Sequence, residues 1–479
     1  MGNTKISWGE RYASFILPLL LGVTDYLAIV LSERIAYFLR CNVIPLTAGP
    51  FSIPPLYLYV IVPTIFLCFL HARNTHIRNT PFWKMAENIF WATLYAMLTI
   101  TMLMYFGKVA EVVSRLFVGM VWIFGFTLIL TFRYVLKKYL NARCLLQLPA
   151  IFIGAGKTAE LVLKSFDHDS GFGYRVIGFI DDHPVSGRIA RNFRILGGFA
   201  DAERIIQEIH PQTVIVTAPG LPSEKLVALI NRIQPYVKNV AFVPDLIGTP
   251  MGTLEVESLV DEKIMVLKVR NNLARQYNRV LKRIFDIVVS LCGMVVVIPF
   301  GVVLSLLIYL DSPGPIVFAH KRIGQGGRVF PCYKFRSMVP DAQQILEKYL
   351  RQNPAAWEEW KRDFKLKDDP RITRVGRFLR KTSLDELPQL LNVLKGEMSL
   401  VGPRPIVQAE VAKYGGYIHD FYLVPPGITG MWQVNGRSDT TYEQRVEMDS
   451  WYVRNWSVWI DIVYLLKTVK VVLERKGAY

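Results

Sequence analysis

The stretch Ile284–Leu310, IFDIVVSLCGMVVVIPFGVVLSLLIYL, decides how this chain is built. It is long enough to cross a bilayer, which takes roughly 20 apolar residues with a range of about 17 to 25. Yet Pro299 interrupts it, and basic residues flank both ends: Arg279, Lys282 and Arg283 before, His320, Lys321 and Arg322 after. Proline removes a helix hydrogen bond and clashes with the preceding turn. The stretch therefore reads either as a kinked true span or as a re-entrant helix that breaks near Pro299 and leaves by the face it entered. Hydropathy alone does not separate the two.

Upstream lie four apolar segments, roughly Phe15 to Phe38, Pro54 to Leu70, Phe90 to Phe106 and Leu116 to Leu136, each near spanning length. Arg73, Arg78 and Lys84 fall between the second and third, and Arg133, Lys137, Lys138 and Arg143 close the fourth. The positive-inside rule then puts both ends of this bundle in the cytoplasm, although Arg40, Lys108 and Arg115 temper the bias. No cleavable signal pattern precedes the first segment, which is expected to be retained. A chain of 479 residues with 52% apolar content is too hydrophobic for an ordinary soluble protein. The formal charge of +17 does not point to nucleic acid, because the basic residues cluster beside apolar runs and no nucleic-acid-binding motif accompanies them. Anionic membrane lipid is the better partner. The five cysteines are scattered, odd in number and without C-x-x-C spacing, which indicates neither zinc nor a disulfide framework and fits a reducing compartment.

From Ala150 the texture changes to short apolar strands alternating with amphipathic helices. Ala150 to Ile153, Val176 to Ile180 and Thr213 to Val216 read as strands, Thr158 to Phe166 and Ser223 to Ile233 as helices, giving a parallel α/β domain ending near Asp245. Gly154-Ala155-Gly156-Lys157-Thr158-Ala159 fits the dinucleotide pattern G-x-G-x-x-A, with Asp181 and Asp182 ending a second strand. The same glycines serve any tight strand-to-helix turn, so no cofactor is assigned there. It is not a phosphate-binding Walker loop, since Ile151 stands where the first glycine belongs.

Downstream, a charged connector from Asp261 to Arg283 leads into the interrupted stretch. The run Asp368 to Pro405, DDPRITRVGRFLRKTSLDELPQLLNVLKGEMSLVGPRP, sets adjacent Asp385 and Glu386 among Arg371, Arg374, Arg377, Arg380 and Arg404. That is the inventory of metal-assisted phosphoryl transfer: guanidinium forks neutralise a diphosphate, one carboxylate holds a hard cation and another attacks phosphorus. Ser383-Leu384-Asp385-Glu386 also fits a helix capping box. Pro388 argues instead for a helix starting near Asp385, which would place that residue at the positive helix end. Arg371, Arg374 and Arg377 recur at helical spacing and could face lipid alone. Arg404, in a turn between Pro403 and Pro405, is harder to read that way. Trp432, Trp451, Trp456 and Trp459, with Tyr452 and Tyr464, suggest an aromatic belt, with core packing as the rival reading. Trp456 to Leu473 reads as an interfacial amphipathic helix with Lys467 and Lys470 toward phosphate.

With the upstream KFRSM of Lys334 to Met338, this run resembles the bacterial polyprenyl-phosphate hexose-1-phosphate transferases. The specific motifs lie between about Arg279 and the C-terminus; the N-terminal half is matched by layout only. The resemblance implies a membrane protein of three parts: a four-helix transmembrane bundle (1–143), a Rossmann-like α/β domain (144–270), and an α-rich monotopic catalytic domain (271–479) anchored by a re-entrant helix (284–310). It implies transfer of a hexose-1-phosphate, galactose-1-phosphate by overall similarity, from a UDP-hexose to undecaprenyl phosphate at the cytoplasmic face of the inner membrane, with release of UMP. In that reading Asp385 is the nucleophile, and Glu386, with Asp385, handles Mg²⁺. Arg377, Arg380 and Arg404 neutralise charge, Lys334 and Arg336 serve the phosphates or uridine, and Asp461 belongs to the site. A homodimer is expected. Because nucleotide sugars are cytoplasmic, a true fifth crossing would strand the carboxylates on the wrong side, so the re-entrant reading is adopted.

Two rivals remain. A membrane-bound NAD-dependent nucleotide-sugar dehydratase or epimerase would need a Tyr-x-x-x-Lys base beyond the glycine turn. The fit found, Tyr134 to Lys138, lies upstream at a membrane exit. A scaffold sensing nucleotide sugars would not need an acidic pair in a basic cradle.

Overall fold

The computed structural model describes residues 6–43, 54–76, 80–106, 114–168, 173–183, 187–243, 255–259, 264–268, 272–363, 366, 369–435 and 440–474. They belong to two compact units, Met1–Ile247 and Gly248–Tyr479. Arg78, Lys108, Asp245, Asp261 and Asp368, used above, lie outside the described residues.

The first unit begins with the helices Ala13–Phe38, Tyr57–Ala72, Phe82–Phe106 and Arg115–Ala142. Three of them are long and apolar enough to cross a membrane; Tyr57–Ala72 is shorter, and the fourth helix of spanning length is Gln276–Asp311 in the other unit. Length thus selects a different set of four from the apolar segments of the sequence. Small residues at the contacts, among them Ala28, Ala92 and Ala96, let the helices close around Ile29, Phe66, Leu70, Ile89 and Ile129.

One charged cluster is buried in this bundle. Arg133 Nε donates to Asp25 Oδ1 at 2.8 Å, its second terminal nitrogen also reaches Asp25, Nη1 donates to the Thr75 carbonyl at 2.9 Å, and His76 Nε2 lies 2.8 Å from Asp25 Oδ2. Arg133, read from sequence as an orientation marker, is fully buried, and Lys137 beside it is 8% exposed. The burial has a plain cause: a carboxylate on another helix neutralises the arginine.

The α/β part is a parallel sheet of β1 (Leu148–Ile153), β2 (Tyr174–Ile180), β3 (Ile195–Gly197), β4 (Thr213–Val216) and β5 (Asn239–Phe242) in the order β3-β2-β1-β4-β5. Successive side chains of β1 feed two cores. Ile151 and Ile153 pack with Ile205, Ile206, Leu229 and Ile233, while Ala150 and Phe152 pack with Ala159 and Leu163. After β1, Gly154 has φ +103, and a Cβ there would lie 2.8 Å from the Thr217 backbone, so only glycine fits. The next amide, Ala155 N–H, is already taken by Asp181 Oδ2 at 2.5 Å.

The second unit contains an antiparallel pair, β6 (Glu255–Leu259) and β7 (Ile264–Lys268), then the 36-residue helix Gln276–Asp311. The break expected near Pro299 is not seen: the helix continues through it. Near its start Lys282 Nζ bonds Asp461 Oδ2 at 2.8 Å, Arg283 is held by the carbonyls of Val393 and Leu394, and Asp286 accepts from Ser399 Oγ at 2.8 Å. Near its end Leu304 and Ile308 pack with Phe335 and Leu379, and Asp311 Oδ2 accepts from Val375 N–H at 2.9 Å. Between these anchors Val295, Val296 and Val302 are 75%, 72% and 65% exposed.

The rest of this unit was expected to be α-rich, and it is mostly helical. It also carries an antiparallel hairpin, β8 (Val317–Ile323) with β9 (Val329–Phe335), and a short parallel pair, β10 (Ser399–Val401) with β11 (Gly427–Thr429). The aromatic belt is corrected in part: Trp432, Tyr452, Trp456 and Tyr464 are buried core residues. Their polar ends explain why, since Tyr452 OH and Trp456 Nε1 both donate to Asp461. The last helix, Val458–Glu474, does expose an apolar stripe at Leu466, Val469 and Leu473.

Replacing either Asp25 or Arg133 by leucine leaves a buried charge without its counter-charge, which typically costs about 3–5 kcal/mol. Each single variant should unfold at a markedly lower denaturant dose in micelles, and Asp25→Leu/Arg133→Leu should recover most of the loss. Strictly additive losses would show that the two side chains are not energetically coupled.

Candidate active site

The site is built on the hairpin. Alternate residues of a strand share a face, so β8 presents Phe318, His320 and Arg322 to one side, and β9 sets Cys332 and Lys334 opposite them in the register His320↔Cys332 and Phe318↔Lys334. This face forms one wall of a cavity of about 800 Å³. The sequence carried a signal for it, because β-branched and aromatic residues flank Gly324-Gln325-Gly326-Gly327 on both sides, with positive φ at Gly326 and Gly327.

A second wall is the helix Arg374–Thr382. Thr373 caps it by accepting from Gly376 N–H at 2.9 Å. Gly376 sits so close to the hairpin's exit that a Cβ would lie 2.0 Å from the Ser337 carbonyl oxygen. That contact lets Arg380 Nε donate to Ser337 Oγ at 2.9 Å and brings its guanidinium to the cavity. The helix ends at Ser383 in the left-handed region, φ 56°, which turns the chain sharply.

Leu384–Glu386 then forms a single 3-10 turn, and the following helix starts only at Gln389. Neither sequence reading of this point survives intact. Ser383 makes no side-chain cap, so the capping box is absent, and Asp385 precedes the helix rather than opening it. The turn aims both carboxylates at Lys334, whose Nζ is 2.6 Å from Glu386 Oε1 and 3.7 Å from Asp385 Oδ2. Burial pushes the Asp385 carboxyl above the usual carboxylate range, with the neighbouring Glu386 charge adding to the rise, while Lys334 and Arg380 pull it back.

The remaining wall comes from Arg404, Trp432, Gln433 and Arg445. The Arg404 and Arg445 guanidinium carbons lie 5.7 and 4.7 Å from the Trp432 ring centroid. Six cationic side chains, Arg322, Lys334, Arg336, Arg380, Arg404 and Arg445, therefore line a cavity that holds two carboxylates. Arg336 bonds the Ser312 carbonyl, yet its Nε and Nη1 find no partner among the described residues. His320 is held below its ordinary pKa by burial and by Arg322.

Of the residues singled out from sequence, Lys334, Arg336, Arg380, Asp385, Glu386 and Arg404 come together here. Arg377 does not: it is exposed and is absent from the cavity wall. Nor does Asp461, which is fully buried with its oxygens taken by Lys282, Tyr452 and Trp456 at 2.6–3.0 Å. It anchors the 276–311 helix, as a carboxylate between isoleucines must find partners when buried. Arg371 is likewise spent on Asp369. Sequence reasoning missed Arg322, Arg445, His320 and Trp432 as cavity residues, because they come from separate elements with no shared motif. Among the described residues no group of three or more His, Cys, Asp or Glu could enclose a metal. Asp385 and Glu386 are the two carboxylates on the cavity wall.

Residues 277–475 match the bacterial sugar transferase family, and residues 75–244 match a CoA-binding domain family. The chain belongs to the bacterial sugar transferase family. It is 39% identical over 425 residues to a UDP-galactose-lipid carrier transferase of Erwinia amylovora, covering 88% of each chain. It is 39% identical over 402 residues, 83% of each chain, to an undecaprenyl-phosphate galactose phosphotransferase of Salmonella typhimurium. A shorter relative, the exopolysaccharide production protein ExoY of Sinorhizobium fredii, is 42% identical over 205 residues, 43% of this chain and 91% of the relative. The protein is thus an enzyme of the sugar-phosphate transferase class and a membrane protein.

Because burial raises the Asp385 pKa, its carboxylate is lost on acidification at a higher pH than for a free aspartate. The acid limb of the transferase pH–rate profile should therefore lie above the ordinary carboxylate range. Lys334→Gln removes the charge that holds this pKa down, so the limb should move further up. An acid limb unmoved by Lys334→Gln would separate Asp385 from the rate-determining ionisation.

Proposed function

We propose that this enzyme transfers galactose-1-phosphate from UDP-galactose to undecaprenyl phosphate, as the first membrane step of O-antigen or another surface polysaccharide. The observation that carries the reading is the placement of Asp385 in a cavity with six cations, beside a second carboxylate and within reach of Lys334. A nucleotide diphosphate brings the negative charge that such a cavity lacks, and guanidinium forks match its oxygens. The named substrates of the relatives from Erwinia amylovora and Salmonella typhimurium support galactose as the sugar.

In the first step an Asp385 oxygen attacks the β-phosphorus of the nucleotide sugar. The bond from that phosphorus to the bridging oxygen breaks, UMP leaves with the electron pair, and a phosphosugar ester remains on Asp385. Arg380 and Arg404 face the charge that develops. In the second step an oxygen of the lipid phosphate attacks the same phosphorus and the Asp385 carboxylate departs unchanged. Division into two displacements suits one soluble and one bilayer-borne substrate, since the bound phosphosugar waits for the lipid. Glu386 and Asp385 would hold Mg²⁺, which would screen the diphosphate charge when bound. In the resting site the Lys334 ammonium lies against both carboxylates and supplies part of that neutralisation.

The re-entrant reading of the 276–311 helix draws support from its anchors. At 1.5 Å per residue a straight helix of this length would extend about 54 Å, beyond the ~30 Å of hydrocarbon. Its ends would then sit at opposite surfaces of the bilayer. Instead the residues before and after Pro299 both rest on the one catalytic unit, and the exposed valines lie between them. A re-entrant helix would keep the cavity on the cytoplasmic face of the inner membrane, where nucleotide sugars are.

Asp385→Asn should abolish both UMP release and the covalent adduct seen by intact-mass analysis, with folding preserved, because an amide is a poor nucleophile. Glu386→Gln should lose most activity and regain part of it at raised Mg²⁺. UMP release at the normal rate from folded Asp385→Asn would sink the mechanism.

The topology is tested separately. Single cysteines at Arg279 and Gly326, in a background lacking the five native cysteines, should resist an impermeant thiol reagent on intact spheroplasts and react only after permeabilisation. Labelling at Gly326 from outside would mean that the helix crosses the membrane.

A further inference from the structure

Lys334 is carried by β9, which among the described residues pairs with β8 alone, Tyr333 standing opposite Ala319 and Pro331 opposite Lys321. Pro331 has no N–H to offer, and proline is tolerated within a sheet at such an edge. The outward groups that remain are the Pro331 carbonyl and the Tyr333 N–H, and one side chain meets both. Asn392 Nδ2 donates to the Pro331 carbonyl at 2.7 Å, and Asn392 Oδ1 accepts from Tyr333 N–H at 3.0 Å. Nδ2 also donates to Glu397 Oε2 at 2.6 Å. Turned over, the amide would set its oxygen against two other oxygens and its nitrogen against an N–H, so its orientation is fixed. Asn392 is fully buried and absent from the cavity wall.

Asn392 lies on the helix Gln389–Lys395, which begins just after the turn that bears Asp385 and Glu386. Lys334 follows Tyr333 directly, and its Nζ lies 2.6 Å from Glu386 Oε1 and 3.7 Å from Asp385 Oδ2. The segment that carries the carboxylates therefore grips the strand that carries their counter-charge. We propose that Asn392 is a positioning residue of the transferase, holding the β9 backbone where the Lys334 ammonium meets both carboxylates. Lysine ends a flexible stem, so the place of its root decides where the ammonium can rest. The inference rests on the assignment of Asp385 as nucleophile, and Asn392 itself touches no substrate.

The test is the rate at which the full chain in lipid nanodiscs forms its covalent adduct from UDP-galactose, read by intact-mass analysis. Asn392→Leu should slow that rate about tenfold in the wild-type background and less than about twofold in Lys334→Gln, because the loss passes through Lys334. A general weakening of the fold would slow both backgrounds alike. Asn392→Asp combined with Glu397→Gln keeps an acceptor for Tyr333 N–H without setting two carboxylates together, and should recover most of the rate. From the strand side, Tyr333→Pro removes the same N–H without breaking a bond to β8, and should be about tenfold slower than Tyr333→Ala, which keeps it. Thermal transitions report folding, and if Asn392→Leu does not fold the comparison at Tyr333 decides. With the adduct formed by wild type, equal slowing in both backgrounds, or Tyr333→Pro as fast as Tyr333→Ala, would overturn the proposal. No adduct from wild type would instead remove the assignment of Asp385, and the proposal with it.

Discussion

The side-chain amide of Asn392 donates to the Pro331 carbonyl at 2.7 Å and to Glu397 Oε2 at 2.6 Å, and accepts from Tyr333 N–H at 3.0 Å. In a two-stranded hairpin the outer edge of β9 has no strand to pair with, and its backbone groups need other partners. Asn392 supplies them from the helix that follows the Asp385–Glu386 turn. A fully buried side chain thus locks β9 to the segment bearing the carboxylates. Fixing the backbone at Tyr333 also fixes Lys334 one residue on, which is how a flexible lysine comes to rest 2.6 Å from Glu386. The reach of Lys334 toward the carboxylates follows from this joint.

Charge balance governs the cavity that results. Six cations around two carboxylates repel one another, and the fold offsets this by engaging some of them individually. Lys334 leans on Glu386, Arg380 on Ser337, and Arg404 and Arg445 share the Trp432 ring. None of these contacts neutralises the whole, so the site remains attractive to a multiply charged anion while each side chain is pre-positioned. In the proposed mechanism burial of Asp385 would also help, since a carboxylate stripped of water is a better nucleophile than a hydrated one.

Buried charge recurs away from the cavity, in each unit separately. The bundle holds its helices with Asp25 and Arg133, and the catalytic unit holds the start of its long helix with Lys282, Asp461 and Asp286. Such pairs add little net stability over apolar packing, but they tolerate few alternative arrangements, because a slipped helix would leave a charge unpaired in low dielectric. For a helix with a largely apolar surface, which could rotate or slide in lipid at small cost, that register is valuable.

Much of this architecture was legible in the sequence. The apolar segments, the alternation that gives the parallel sheet, the glycine turn after β1 and the acidic pair among arginines are local patterns, set by burial period and turn chemistry. The family resemblance rested on those same residues. What tertiary structure decided depends on elements distant in sequence. Arg377 and Arg380 sit on one short helix, but only the contact of Gly376 with Ser337 settles that Arg380 lines the cavity while Arg377 stays exposed and does not. Asp461 looked like a site residue until Lys282, Tyr452 and Trp456 closed around it. Arg322, Arg445 and Trp432 carry no motif and join the site only because the hairpin and the C-terminal helices converge there. Sequence determines what each segment prefers to bury; which faces meet is fixed only when the segments pack.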